Sequence, residues 1–468
     1  MNVLQEVASR AVARELGRAI PVRQASSVAP DPACTIGVAT VKIVTEEQVQ
    51  AIAFGSLNAP PHIVVRLDPL GRDAADLLPF AKFTAQIRDR VLAQDEALRV
   101  WVPHEAALES IDVLGHRYAT NTKAADELRD MGAFCRIIAD EATFPGQQLV
   151  VNAAERLREH VVTGMAPIEE HHLGSLLAWL EAGRTDALAE ARRRARVPAS
   201  GVLPNTPDRP LDDRVEFLRK RAKHASSTVA AAARAEIEAI LRDVVRAEWN
   251  LLVAARNAFW GLQLTAQGLE KLFSTSQARV RHALENGFYP TVSPERIAAR
   301  LGEMEAGRAV AEHVDVEYDT TIRAQARRSG TVVAGRIVAI DHPRPKFKPC
   351  RIEVESAQAA VRVRRDEKVK IVGAKVSFIV REIEATPAGG TRLRLEVDAG
   401  VRAMHAFPVG TPIELIEEPY AFVAHKRFSL IRQRQPWIYF GTAAPTLVAR
   451  PAPATSPLEL VAARRRQP

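Results

Sequence analysis

Cysteine is scarce: Cys34, Cys135 and Cys350 are the only three in 468 residues, widely spaced and never in a C-x-x-C pair. That excludes a disulfide framework and any cysteine-based zinc finger, and it suits a reducing compartment. No run of 18 or more apolar residues occurs. A transmembrane helix is therefore not expected, and the chain reads as cytoplasmic, with no membrane partner. Three common phosphate-binding and catalytic patterns are missing: G-x-x-x-x-G-K-[ST], G-x-G-x-x-G and G-x-S-x-G. Without a phosphate cradle or a nucleophile elbow, no nucleotide cofactor and no intrinsic ATPase activity are expected. Any ATPase or helicase would be a separate partner. No repeat of fixed period is present, which argues against a solenoid.

What remains is the composition of a globular chain, 47% apolar and 26% charged, long enough for two to four domains of about 150 residues each. Its richness in Ala, Arg and Val suggests the GC-biased codons of a bacterium. The net charge of +8 is unevenly spread. Residues 321–440 hold 22 Lys/Arg against 12 Asp/Glu, and the tail adds four arginines against one glutamate, so residues 1–320 are net acidic. A basic module on an acidic body is an electrostatic footprint for polyanions.

The fold class expected is multidomain α+β. Residues 1–35 read as an amphipathic helix and a Pro/Ser-rich linker. Val3, Leu4, Val7, Ala11 and Leu16 share one helical face, suited to docking on the body or on a partner; the continuous apolar core of a secretory signal is missing. Residues 36–120 alternate strands ("TIGVATVKIV", "HIVVRLDP", "ALRVWVP") with helical patterns, which predicts a small α/β domain with a partly parallel sheet. Residues 121–196 are helical, and 197–211 form a Pro-rich linker. Residues 212–320 are a long-helix region, read as a rod or a helical hairpin suited to homo-oligomerisation. Within it Trp249, Leu252, Val253, Phe259 and Trp260 recur as a packing stripe, with Arg256 placed for a cation–π contact. Residues 321–440 break into five or six short alternating strands, among them "CRIEVES", "AAVRVRRD" and "TRLRLEVD". This predicts a basic antiparallel β-barrel, OB-like or translation-factor-like. Residues 441–468 read as a disordered basic tail.

Candidate chemistry is sparse. Asp68 follows one strand of the α/β domain, and His104 and Glu105 follow another. Carboxyl ends of strands are where α/β sheets place ligands, so these three are the weak candidates for a metal-dependent nuclease or hydrolase. Glu169 and His172 form a Glu-x-x-His, but no second pair exists to build a di-metal bundle, and an acidic first helical turn explains the stretch. No metal site is predicted.

The barrel carries the stronger signal. Period-two alternation puts Val361 and Val363 inward and Arg362 and Arg364 outward, with Arg365 beyond. Leu393 and Leu395 point inward, and Arg392 and Arg394 outward. If these segments are neighbours, the arginines share one outer surface, which Lys346, Lys348, Lys368 and Lys370 extend. Interspersed glutamates (Glu353, Glu355, Glu382, Glu384) argue for an ordinary charged exterior instead. Near the end, "KRFSLIRQRQPWIYF" interleaves Lys426, Arg427, Arg432 and Arg434 with Trp437 and Tyr439, cations and rings of the kind that hold single strands.

The function expected is a non-catalytic nucleic-acid-binding or adaptor protein, with DNA or RNA as partner, working beside a separate processing enzyme in genome maintenance or phage defence. The alternatives are an interaction protein that oligomerises through residues 212–320, and a hydrolase in the α/β domain.

Overall fold

The computed structural model describes residues 3–43, 46–69, 74–181, 186–197, 201–224, 226–287, 294–341 and 350–419. The chain divides into a compact unit of residues 1–290 with 304–421 and a second unit of residues 291–303 with 422–468. Of the second, only the opening turns of one helix lie among the described residues. The first is mixed α+β.

Helix α1 (Val3–Leu16) leads into a short strand β1 (Ile20–Pro21). Strands β2 (Cys34–Ile43) and β3 (Glu46–Ser56) form an antiparallel pair, and β4 (His62–Val65) returns beside β3. Helix α2 (Leu78–Ala93), strand β5 (Leu98–Val102), helices α3 (Glu105–Tyr118) and α4 (Asp126–Ala142), and strand β6 (Val150–Asn152) follow. They complete a five-stranded sheet of order β4-β3-β2-β5-β6, in which β5 runs parallel to both β2 and β6. The alternation seen in the sequence is present, and the sheet takes its last strand from beyond residue 120. Strand β5 shows why the segment is so apolar. Leu98, Val100 and Val102 enter one core with α2, α3 and α4, whereas Trp101 enters a second core on the opposite face. A sheet covered on both faces needs near-continuous hydrophobic strands.

The chain continues through α5 (Ala153–His160), the short β7 (Val161–Val162) paired with β1, α6 (Leu173–Ala178) and α7 (Ala187–Arg194). A two-residue ladder of β8 (Asn205–Thr206) and β9 (Arg209–Pro210) precedes α8 (Leu211–His224) and α9 (Ser227–Gly261). The 35 residues of α9 span about 52 Å at 1.5 Å per residue. This helix is not a free rod. Its stripe of Ile237, Leu241, Val245, Trp249, Leu252 and Phe259 is buried with Val41, Ala51 and Ala53 of the sheet. Gly37 of β2 permits the close approach, since a Cβ there would stand 2.9 Å from the Trp249 ring. Arg256 does not stack on tryptophan; its Nε donates to Asp31 Oδ2 at 2.8 Å, and Trp101 Nε1 (2.9 Å) and Trp260 Nε1 (3.0 Å) donate to the same carboxylate.

Helices α10 (Glu270–Asn286), α11 (Pro294–Tyr318) and α12 (Thr320–Arg328) lead to the C-terminal region. Asp319 caps α12 by accepting from Thr321 N–H (2.9 Å) and Ile322 N–H (3.1 Å). Its other oxygen accepts from the N–H groups of Gln24 (2.7 Å) and Ala25 (3.0 Å), which ties down the linker behind α1.

Six antiparallel strands then close into a barrel: β10 (Val332–Asp341), β11 (Arg351–Ser356), β12 (Lys368–Ile371), β13 (Ser377–Ala385), β14 (Thr391–Ala399) and β15 (Pro412–Glu417). Their order around the barrel is β10-β11-β14-β13-β12-β15, with β15 pairing back to β10. Six closed strands are one more than the five of an OB-fold. Ile352, Val354, Phe378, Val380, Leu393 and Leu395 fill the interior, as period-two alternation predicts.

Two expectations change in detail. Residues 361–364 are not a strand, although Val363 is buried in the barrel core and Arg362 and Arg364 face out. Helix α1 docks through the opposite side from its apolar face. Arg10 donates to Met165 O (2.8 Å) and to both oxygens of the buried Glu170 (2.7 and 2.9 Å), and Ala13 is fully buried beneath it. This leaves Leu4 and Val7 outside, 81% and 60% exposed.

Candidate nucleic-acid interface

The exterior of β14 is the first place to look for a basic surface, and its neighbours decide the outcome. The register sets Arg392 opposite Glu355 of β11 and Glu384 of β13, and Arg394 opposite Glu353 and Glu382. Arg392 Nε donates to Glu355 Oε1 at 3.0 Å, and Arg394 Nε to Glu353 Oε1 at 3.1 Å. Arg394 also pairs closely with Glu382, and Glu384 lies 3.6 Å away. Two arginines thus sit between four glutamates, the cross-strand charge pairing that stabilises a sheet. The glutamate hydrogen bonds hold both guanidinium pKa values above their usual range. The same pattern continues nearby: Lys368 binds Asp398 at 2.8 Å, Lys370 binds Glu317 at 2.8 Å, and Arg381 binds Glu396 at 3.2 Å. The strand face is therefore charge-compensated, and β14 has no arginine-bearing neighbour in the segment 361–364.

The most loosely paired cations lie in the turn before β12. Arg364 and Arg365 have side chains 84% and 77% exposed, with carboxylate partners no nearer than 3.9 Å. Arg362 is exposed, and its N–H donates to Gly330 O at 2.9 Å. That bond ties the segment to the turn that follows α12, two residues beyond the exposed Arg328. Gly330 has φ +74° and a Cβ there would meet Ala360 O at 2.7 Å, so the turn holds the two segments together. Arg328, Arg362, Arg364 and Arg365 are all exposed. A groove of about 660 Å³ in the barrel wall lies close by, but it pairs Arg327 and Arg336 with Glu355 and Glu414 and carries no net charge. Lys346, Lys348, Lys426, Arg427, Arg432, Arg434, Trp437 and Tyr439 lie outside the described residues.

The three residues weighed for hydrolysis do not converge. Asp68 is exposed beyond β4, and His104 follows β5. Strands β4 and β5 are separated by two others, about 14 Å at the usual strand spacing. His104 is buried, and its Nε2 stands 3.0 Å from Glu248 Oε2 of α9, while Nδ1 has no partner among the described residues. Glu105 is exposed in the first turn of α3. Sequence reading missed Glu248, because nothing local to α9 marks it as a partner for a residue 144 positions away. Glu169 accepts from Ala166 N–H at 2.7 Å, and His172 caps α6 by accepting from Ser175 N–H at 3.0 Å. Among the described residues no group of three or more His, Cys, Asp or Glu is placed to hold a metal ion, and no helix is long and apolar enough to cross a membrane.

The chain matches no family model, no curated protein and no solved structure.

Proposed function

We propose that this chain is a non-catalytic nucleic-acid-binding protein, an adaptor that presents DNA or RNA to a separate processing enzyme such as a helicase or ATPase. The observation that carries the reading is the exposure of Arg328, Arg362, Arg364 and Arg365, set in a region with 22 Lys/Arg against 12 Asp/Glu. Arg392 and Arg394 have a different task, holding three strands together. Neutralising phosphates releases condensed counterions, so affinity should fall steeply with salt and depend little on sequence.

The test is fluorescence anisotropy of the full chain with labelled single- and double-stranded DNA and RNA over a salt series. Binding whose logarithm falls linearly with log salt supports the reading. Every phosphate that a variant of these arginines no longer neutralises should reduce that slope by about 0.9 for duplex DNA. No binding to any of the four nucleic acids at low salt overturns it.

A further inference from the structure

We propose that Arg99 anchors a buried site for a small inorganic anion of halide size. Arg99 lies on β5 opposite Thr35 of β2, and its side chain is fully buried. Its Nε, Nη1 and Nη2 have no hydrogen-bond partner among the described residues. A guanidinium carries five N–H donors and stays protonated. Its burial therefore removes every bond to water while the charge remains. Burial lowers its pKa to about 10, with Arg156 acting in the same direction and Asp31 against it, which leaves it cationic at neutral pH.

The protein groups nearby do not meet that demand. The guanidinium carbon stands 5.5 Å from the centre of the Phe273 ring of α10. A ring face attracts the cation, but it does not replace the acceptors that buried N–H groups require. Asp31 is the carboxylate whose charge acts on Arg99, and its oxygens are already taken. Its Oδ1 accepts from Trp101 Nε1, and its Oδ2 from Arg256 Nε and Trp260 Nε1. Trp101 is two residues along β5 and shares the face of Arg99, so the carboxylate is near but committed elsewhere. Asp31 and Arg256 offset each other as an ion pair at 2.8 Å, and Arg99 is the charge left over. One monoanion restores the balance and offers lone pairs to the forked donors. Because the guanidinium has no exposed surface, its partner is enclosed with it, which suits an ion of one atom better than a phosphate or a carboxylate. Water alone would satisfy the donors and leave the charge, and an unpaired buried charge is the costlier state. The site shares no residue with the arginines of the proposed nucleic-acid interface.

The test is urea unfolding of the full chain at fixed ionic strength as chloride replaces gluconate, an anion too large to be enclosed. In the parent, the unfolding equilibrium constant should fall about tenfold when chloride reaches ten times its dissociation constant. In Arg99→Met, which fills a similar volume without the charge, this dependence should vanish. A second readout needs no variant: crystals of the parent soaked in bromide should show an anomalous peak beside the Arg99 guanidinium. Equal chloride dependence in both proteins, or none in the parent, overturns the proposal. So does a crystal with only water at Arg99. A bromide peak without the chloride dependence marks an adventitious ion only and overturns it as well.

Discussion

Burial lowers the pKa of the His160 imidazole to about 4, and the ring serves the fold in its neutral form. Its Nε2 accepts from Ser27 N–H at 3.2 Å while Nδ1 bonds Arg156 O at 2.7 Å, which locks the linker after α1 onto α5. An unfolded histidine titrates near 6.5, so between about 6.5 and 4 the unfolded chain binds more protons than the folded one. Stability should therefore fall as the pH drops through that window, by at most about 1.4 kcal/mol per pH unit from this residue, and flatten below it. Urea unfolding across the window should show a shallower slope in His160→Gln. Asp319 works in the same direction for a different reason. Burial alone would raise its pKa, but four backbone N–H groups outweigh that and hold it low, so its contribution is present above the usual carboxylate pKa and lost on acidification. Asp319→Ala should cost about 2 kcal/mol by removing a cap and the anchor of the linker. Glu248→Ala should cost a similar amount, about 2 kcal/mol, by stranding the buried His104, while Glu248→Gln should cost less. Which side chains face outward was legible in "VRVRR" and "TRLRLEV", because parity is a local property. Which charges stand opposite them was not, because register pairs residues up to 41 positions apart.

Helix α9 and most barrel strands were readable from periodicity, since each carries a buried stripe at its own spacing, whereas "AAVRVRRD" has the alternation of a strand and is not one. Strand β3 escaped notice: its first half, "EEQVQ", is polar and lacks the alternation of an exposed strand. Its burial comes from lying between β4 and β2 in a sheet assembled around it. Tertiary packing also sets α3 against α4. A Cβ on Gly132 would collide with the backbone of Ala119 and stand 2.8 Å from Tyr118, so the two helices touch at that point. Gly132→Ala should destabilise by about 1–3 kcal/mol through overpacking, measurable by thermal melting. Placing α9 on the sheet rather than in solvent required knowing that Gly37 leaves room for Trp249, far along the chain.

Charge organises the molecule as a whole. The body is net acidic, the C-terminal region is basic, and Arg351, Arg381, Arg392 and Arg394 of the barrel are engaged in cross-strand pairs. The alternating strands announced a barrel, and composition announced the basic character. The location of the loosely paired charge emerged only from closure of the six strands, which surrounds β14 with glutamates and leaves Arg364 and Arg365 exposed with carboxylates 3.9 Å away. The decisive comparison is nucleic-acid affinity of two full-chain variants, Arg362/Arg364/Arg365→Ala and Arg392/Arg394→Ala, beside the parent in low salt. The first should lose most of the binding with an unchanged melting temperature. The second should melt earlier, as its glutamates are left facing one another, yet bind nearly as well. Equal affinity in the first variant and the parent, or loss confined to the strand-face variant, would contradict the assignment.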